Sequence, residues 1–139
     1  MDKKRVLVVD DEPSFTRIVR LSLEKTGFYQ VKEENHARRA ALTAKEFSPH
    51  VILLDVVMPG IDGGDVATEI KSYPALKNVP IIFITAIVAK GEGGASGQIS
   101  GGHLFLAKPI SVKGLVDSIE GELAKATGQK RELRPDLPN

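Results

Sequence analysis

Apolar residues fall along this chain in short blocks. Val6–Val9, Val51–Leu54, Ile81–Ile84 and Leu104–Leu106 are rich in branched side chains and bounded by polar, Gly or Pro residues. Runs of that length and type read as strands buried on both faces, as in a parallel sheet. Phe28–Lys32, after Gly27, is a weaker fifth candidate. Between the blocks the apolar positions take helical spacing. Ser14–Thr26 carries Phe15, Ile18, Val19 and Leu21–Leu23, with Pro13 at its first turn and Gly27 as a stop. Ala37–Phe47 closes before Pro49, and Gly64–Tyr73 closes before Pro74. Ser111–Thr127 has Ser111 as N-cap and Gly128 just past its end, although Gly114 and Gly121 weaken it. Strands alternating with helices predict an α/β domain with a parallel sheet and helices on both faces.

Length and charge narrow the function classes. The 139 residues suit one domain. Nineteen Lys and Arg stand against 18 Asp and Glu, so a net charge of +1 exerts no global pull on nucleic acid or an anionic membrane. The absence of Cys excludes disulfides, thiolate nucleophiles and Cys-type zinc sites. No apolar run approaches the roughly 18 residues of a membrane span, and Met1–Asp10 lacks a signal-peptide pattern. The expected location is therefore cytoplasmic, without membrane or direct nucleic-acid contact. His36, His50 and His103 show no metal-ligand spacing.

Ligands of open α/β sheets bind beyond the carboxyl ends of the strands. Asp10, Asp11 and Glu12 follow the first block, Asp55 the second, Thr85 the third, and Lys108-Pro109 the last. Each residue alone reads as well as a turn former, a strand residue or a solvated charge. Together they place acids, a hydroxyl and an ammonium on one edge. Clustered carboxylates cannot all ionise cheaply without a counter-charge. Mg2+ suits a site with few carboxylates and an incoming phosphate. Asp can attack phosphorus to form an acyl phosphate, and Lys can hold a phosphoryl oxygen. The set reads as a site where an Asp is phosphorylated with Mg2+ present.

The matching segments are Val-Leu-Val-Val-Asp-Asp-Glu-Pro at 6–13, Leu-Leu-Asp-Val-Val-Met-Pro-Gly-Ile-Asp-Gly at 53–63, Ile-Thr-Ala at 84–86 and Phe-Leu-Ala-Lys-Pro at 105–109. With them the chain resembles the receiver domain of bacterial two-component response regulators, the CheY-like family, over about Lys3 to Thr127. The resemblance implies a flavodoxin-like (βα)5 doubly wound sheet in strand order 2-1-3-4-5. It also implies a receiver domain over residues 1–127 with a polar tail or linker stub at 128–139. By position, Asp55 is the implied phosphoacceptor, Asp11 a direct Mg2+ ligand, Asp10 an acid near the metal, and the Val57 carbonyl a further ligand. Lys108 would bind a phosphoryl oxygen, and Glu12 would point away from the metal. Thr85 and Phe105 would be the coupled switch pair, and Lys108-Pro109 would be cis. The implied partners are a sensor histidine kinase or phosphotransfer protein as donor and an output protein or domain. Such a chain is a switch that catalyses only its own phosphorylation and dephosphorylation. The alternative is a pseudo-receiver, a protein-binding module that takes no phosphate. A hydrolase forming an aspartyl phosphate would need a second Asp that Asp55-Val56-Val57 lacks, and FMN binding would need a phosphate loop after the first strand. The initial Met favours an N-terminal receiver or a whole protein over an internal domain.

One stretch departs from the family pattern. Gly91–Gly102, where a fourth helix belongs, contains six Gly in twelve residues. Each costs about 1 kcal/mol relative to Ala in a helix interior. A degenerate or mobile fourth helix is expected.

Overall fold

The computed structural model describes residues 2–86, 98–100 and 103–128, with the middle segment described by its backbone only. Parallel strands β1 (Lys4–Val9), β2 (Tyr29–Glu34) and β3 (Val51–Asp55) alternate with helices α1 (Pro13–Lys25) and α2 (Ala40–Phe47). A hairpin of β4 (Val57–Met58) and β5 (Ile61–Asp62) follows, then α3 (Gly63–Lys71) and β6 (Ile81–Thr85). The chain continues through β7 (Gln98–Ser100), β8 (His103–Ala107) and α4 (Val112–Thr127). The main sheet runs β2-β1-β3-β6-β8-β7. Its five parallel strands have the doubly wound order that the resemblance implies.

The period of two sorts each central strand between two cores. Val6, Val8, Leu53 and Ile82 face Val19 and Leu23 of α1 and Leu115, Val116 and Ile119 of α4. Leu7, Val9, Ile52 and Leu54 face Ala40, Ala41 and Ala44 of α2 and Val66 and Ile70 of α3. Both faces are covered, which is why the central strands appear as unbroken apolar blocks.

The helix ends follow the local chemistry. Pro13 opens α1, where its missing N–H costs nothing. The Ser111 hydroxyl accepts the Gly114 N–H at 2.9 Å, and α4 ends at Gly128 with φ +71. Gly114 and Gly121 do not interrupt that helix. The second helix begins later than its apolar pattern suggests, because Ala37–Arg39 form a 3-10 turn first.

Two features were not expected. The β4–β5 hairpin turns through Pro59 and Gly60, whose φ of +76 suits a residue without Cβ. Strand β7 pairs antiparallel with β8. Only two residues separate them, too few for a parallel crossover. Gln98–Ser100 is thus strand where the family places a helix. The rest of the expected degenerate fourth helix lies outside the described residues.

Gly63 locks α3 onto the end of β3. A Cβ there would lie 2.6 Å from the Asp55 carbonyl oxygen and 2.8 Å from the Val56 Cα, both backbone atoms. The Gly63 N–H also donates to the Val56 carbonyl at 3.0 Å. Gly63→Ala is expected to lower stability by about 1–3 kcal/mol through overpacking, measured by urea unfolding. The largest amide shift changes should centre on Asp55–Val57.

Candidate functional site

Parallel strands bring their carboxyl ends to one edge, and β1 is where the strand order reverses, with β2 on one side and β3 on the other. Asp10 and Asp11 leave β1, Asp55 ends β3, Thr85 ends β6, and Lys108 follows β8. The Lys108 N–H donates to the Thr85 carbonyl at 2.9 Å, which ties these last two ends together. The Lys108–Pro109 peptide is cis.

Carboxylate oxygens of Asp10, Asp11 and Asp55 lie within 4.8 Å of one another. Asp10 and Asp55 are buried, whereas Asp11 is exposed. The Asp10 side chain accepts the Glu12 N–H at 2.9 Å on one oxygen and the Lys108 ammonium at 2.7 Å on the other. Asp55 accepts the Val57 N–H at 3.3 Å. Lys108 also reaches Glu12 Oε1 at 3.4 Å and sits 4.1 Å from the centre of the Phe15 ring. In this arrangement the ammonium rests on Asp10 and leaves Asp55 without a direct ion pair among the described contacts.

The electrostatics follow. Burial and then the charge of Asp10 push the Asp55 carboxyl up to about 6, against the opposing pull of Lys108 and the Val57 N–H. Burial disfavours the Lys108 ammonium, but the hydrogen bond and charge of Asp10, with Asp55 and Glu12, outweigh it and raise its pKa. The pocket thus holds excess negative character that an added cation would relieve. Three convergent oxygen donors fit a hard divalent ion.

Val57, on the first strand of the hairpin, is 57% exposed beside Asp55. Phe105 lies opposite Phe83 in register and stacks on it, with ring centres 5.0 Å apart and planes 22° from parallel. His103 meets the same Phe83 ring edge-on at 5.1 Å. These rings belong to the α2–α3 side of the sheet. The contacts of Glu12 and Phe15 with Lys108 were not legible in the sequence, because they join residues about ninety positions apart. Gly63 stood in the quoted motif, but its contact with the Asp55 backbone needed the fold.

Fold and site together define a doubly wound domain with an acidic cleft and a lysine at its rim. The chain belongs to the response regulator receiver domain family, whose model matches residues 6–120. It is 37% identical over 106 residues to "Response regulator PleD" of Caulobacter vibrioides, a match spanning 76% of this chain and 23% of that protein. It is 29% identical over 123 residues to "Polar-differentiation response regulator DivK" of Brucella anthropi, covering 88% of this chain and 98% of that one. Among solved structures, chemotaxis protein CheY4 of Vibrio cholerae is 28% identical with a TM-score of 0.73, covering 86% and 98% of the two chains. Among the described residues no helix is long and apolar enough to cross a membrane.

The raised Asp55 pKa has a consequence for stability. A carboxyl with a higher pKa folded than unfolded favours folding fully only below its unfolded value. The benefit is lost as pH rises from about 3.8 towards about 6. Without divalent cations, Asp55→Asn is expected to stabilise the protein above pH 6 by about 2–3 kcal/mol. That gain should fade as pH falls through this window and vanish below it, as read by urea unfolding in EDTA.

Proposed function

We propose that this receiver domain is a phosphorylation-dependent switch in which Asp55 accepts a phosphoryl group from a histidine kinase or phosphotransfer protein. The convergence of three carboxylates within 4.8 Å, with the Lys108 ammonium at their edge, carries the reading. Asp10, Asp11 and Asp55 would hold Mg2+, together with the main-chain carbonyl of Val57. When bound, the ion supplies charge neutralisation for the carboxylates and for the phosphoryl oxygens.

The chain's own groups do the rest. An Asp55 oxygen attacks phosphorus in line with the leaving group. The new P–O bond forms as the P–N bond of the donor phosphohistidine breaks, and the imidazole leaves with that electron pair. Lys108 exchanges its bond with Asp10 for one to a phosphoryl oxygen. Thr85 donates its hydroxyl proton to another, and Phe105 repacks against the sheet in step. The phosphoryl group shifts the two-state balance only by what it gains from these new partners. Exposed apolar side chains on α1, Ile18 at 63% and Leu21 at 53%, lie on the helix that starts beside the acid loop and offer a docking face for the donor.

Incubation with acetyl phosphate and Mg2+ is the direct test. Intact-mass spectrometry should show one phosphoryl adduct on wild type and none on Asp55→Asn. Lack of an adduct on wild type, together with no beryllofluoride response by NMR, favours the pseudo-receiver reading.

Val57 bears on how long the signal lasts. Its apolar side chain stands at the mouth beside Asp55 and offers no hydrogen bond to an attacking water. Ile87, two past Thr85 and the other apolar position that the family resemblance implies beside that path, lies outside the described residues. Val57→Asn is expected to speed loss of the phosphoryl group about fivefold, the worth of one hydrogen bond of about 1 kcal/mol. The rate of adduct disappearance after removal of acetyl phosphate measures it.

A further inference from the structure

Beyond the residues at the strand ends, the geometry points to Asn35 as a positioning residue that sets the acid loop for cation binding. This inference rests on the metal-dependent reading of the site given above.

β1 ends at Val9, one residue before the loop that carries the acids. From there the loop is held by the end of β2. The Asp10 N–H donates to the Glu34 carbonyl at 3.1 Å, and the Asp10 carbonyl accepts the Asn35 side-chain amide at 2.8 Å. Two consecutive residues thus hold both polar groups of the Asp10 main chain. The carbonyl belongs to the Asp10–Asp11 peptide, which is planar. Fixing its oxygen fixes where the Asp11 amide and Cα lie. Asp11 is the exposed acid of the cluster, and its side chain starts from that point.

The amide's orientation is determined by its neighbours. Asn35 Nδ2 has two hydrogens, one for the Asp10 carbonyl and one for Thr16 Oγ1 at 2.9 Å. Thr16 is fully buried, and its hydroxyl donates to Glu33 Oε1 at 2.7 Å with the Pro13 carbonyl also in reach at 3.2 Å; both are acceptors, so it turns a lone pair towards Asn35. Glu33 is held in turn by Arg20. Every donor in this chain has an acceptor, and reversing any member would set two donors or two acceptors face to face. The network therefore presents an N–H, never an oxygen, to the acid loop. Groups behind metal ligands that are held this way commonly govern affinity without touching the ion.

Mg2+ titrations followed by amide NMR shifts, with thermal unfolding in EDTA run in parallel, test the role. Asn35→Ala should weaken Mg2+ binding by roughly tenfold or more. Two Thr16 variants separate positioning from packing. Thr16→Val keeps the volume but loses the hydroxyl, and it should weaken Mg2+ binding. Thr16→Ser loses a buried methyl but keeps the hydroxyl, so it should lower the unfolding temperature and leave Mg2+ affinity as in wild type. Should Asn35→Ala fail to fold, the Thr16 pair decides alone. A wild type that binds Mg2+ alongside an Asn35→Ala protein of equal affinity overturns the inference by itself. So does an affinity that simply follows unfolding temperature across the Thr16 variants. A wild type that binds no Mg2+ overturns the metal-dependent reading, and this inference with it.

Discussion

Two carboxylates buried side by side dominate this molecule. Asp10 and Asp55 sit at the ends of β1 and β3, which are hydrogen-bonded neighbours, so the sheet itself prevents them from separating. Burial and the charge of Asp10 both disfavour charge on Asp55. Lys108 relieves the strain on one side only, by pairing with Asp10. Asp55 keeps a carboxyl that binds its proton more tightly than usual. A site left short of positive charge in this way is where the proposed cation would be held.

Much of the remaining structure serves to keep that arrangement in place. Gly63 lets α3 press against the backbone of Asp55 and Val56. The β4–β5 hairpin starts at Val57, which supplies an N–H to Asp55. On the other side, Glu34 and Asn35 hold the Asp10 main chain from the end of β2. Phe15 and Glu12 steady the lysine from the first turn of α1. Four separate elements therefore converge on one charge problem. The outer side of β8 is handled differently. β7 pairs with it antiparallel, which covers an edge that would otherwise present unpaired main-chain groups.

Strand identity and the candidate acids were legible from the residues because both signals are local. A strand buried on both faces needs a short branched apolar run, and Val6–Val9 or Ile81–Ile84 can be little else. A functional group at a strand's carboxyl end must follow that run directly, as Asp55 and Lys108 do. Six glycines in Gly91–Gly102 likewise spoke against a regular helix without reference to any contact. The small hairpin at 57–62 was hidden, because its two-residue strands are too short to show an alternating pattern. β7 was hidden because a lone Ile99 among polar and Gly residues carries no periodic signal.

The sequence by itself thus determined the layered α/β architecture, the strand order through the family it resembles, and the acids, hydroxyl and lysine lying on one edge. Only the tertiary structure decided which of these touch. Lys108 rests on Asp10 and Glu12 rather than on Asp55, Asn35 reaches the Asp10 carbonyl, and Gly63 abuts the Asp55 backbone. The physical reason is distance along the chain. Propensity and periodicity act over a few residues, whereas these contacts join positions brought together only when the parallel strands align.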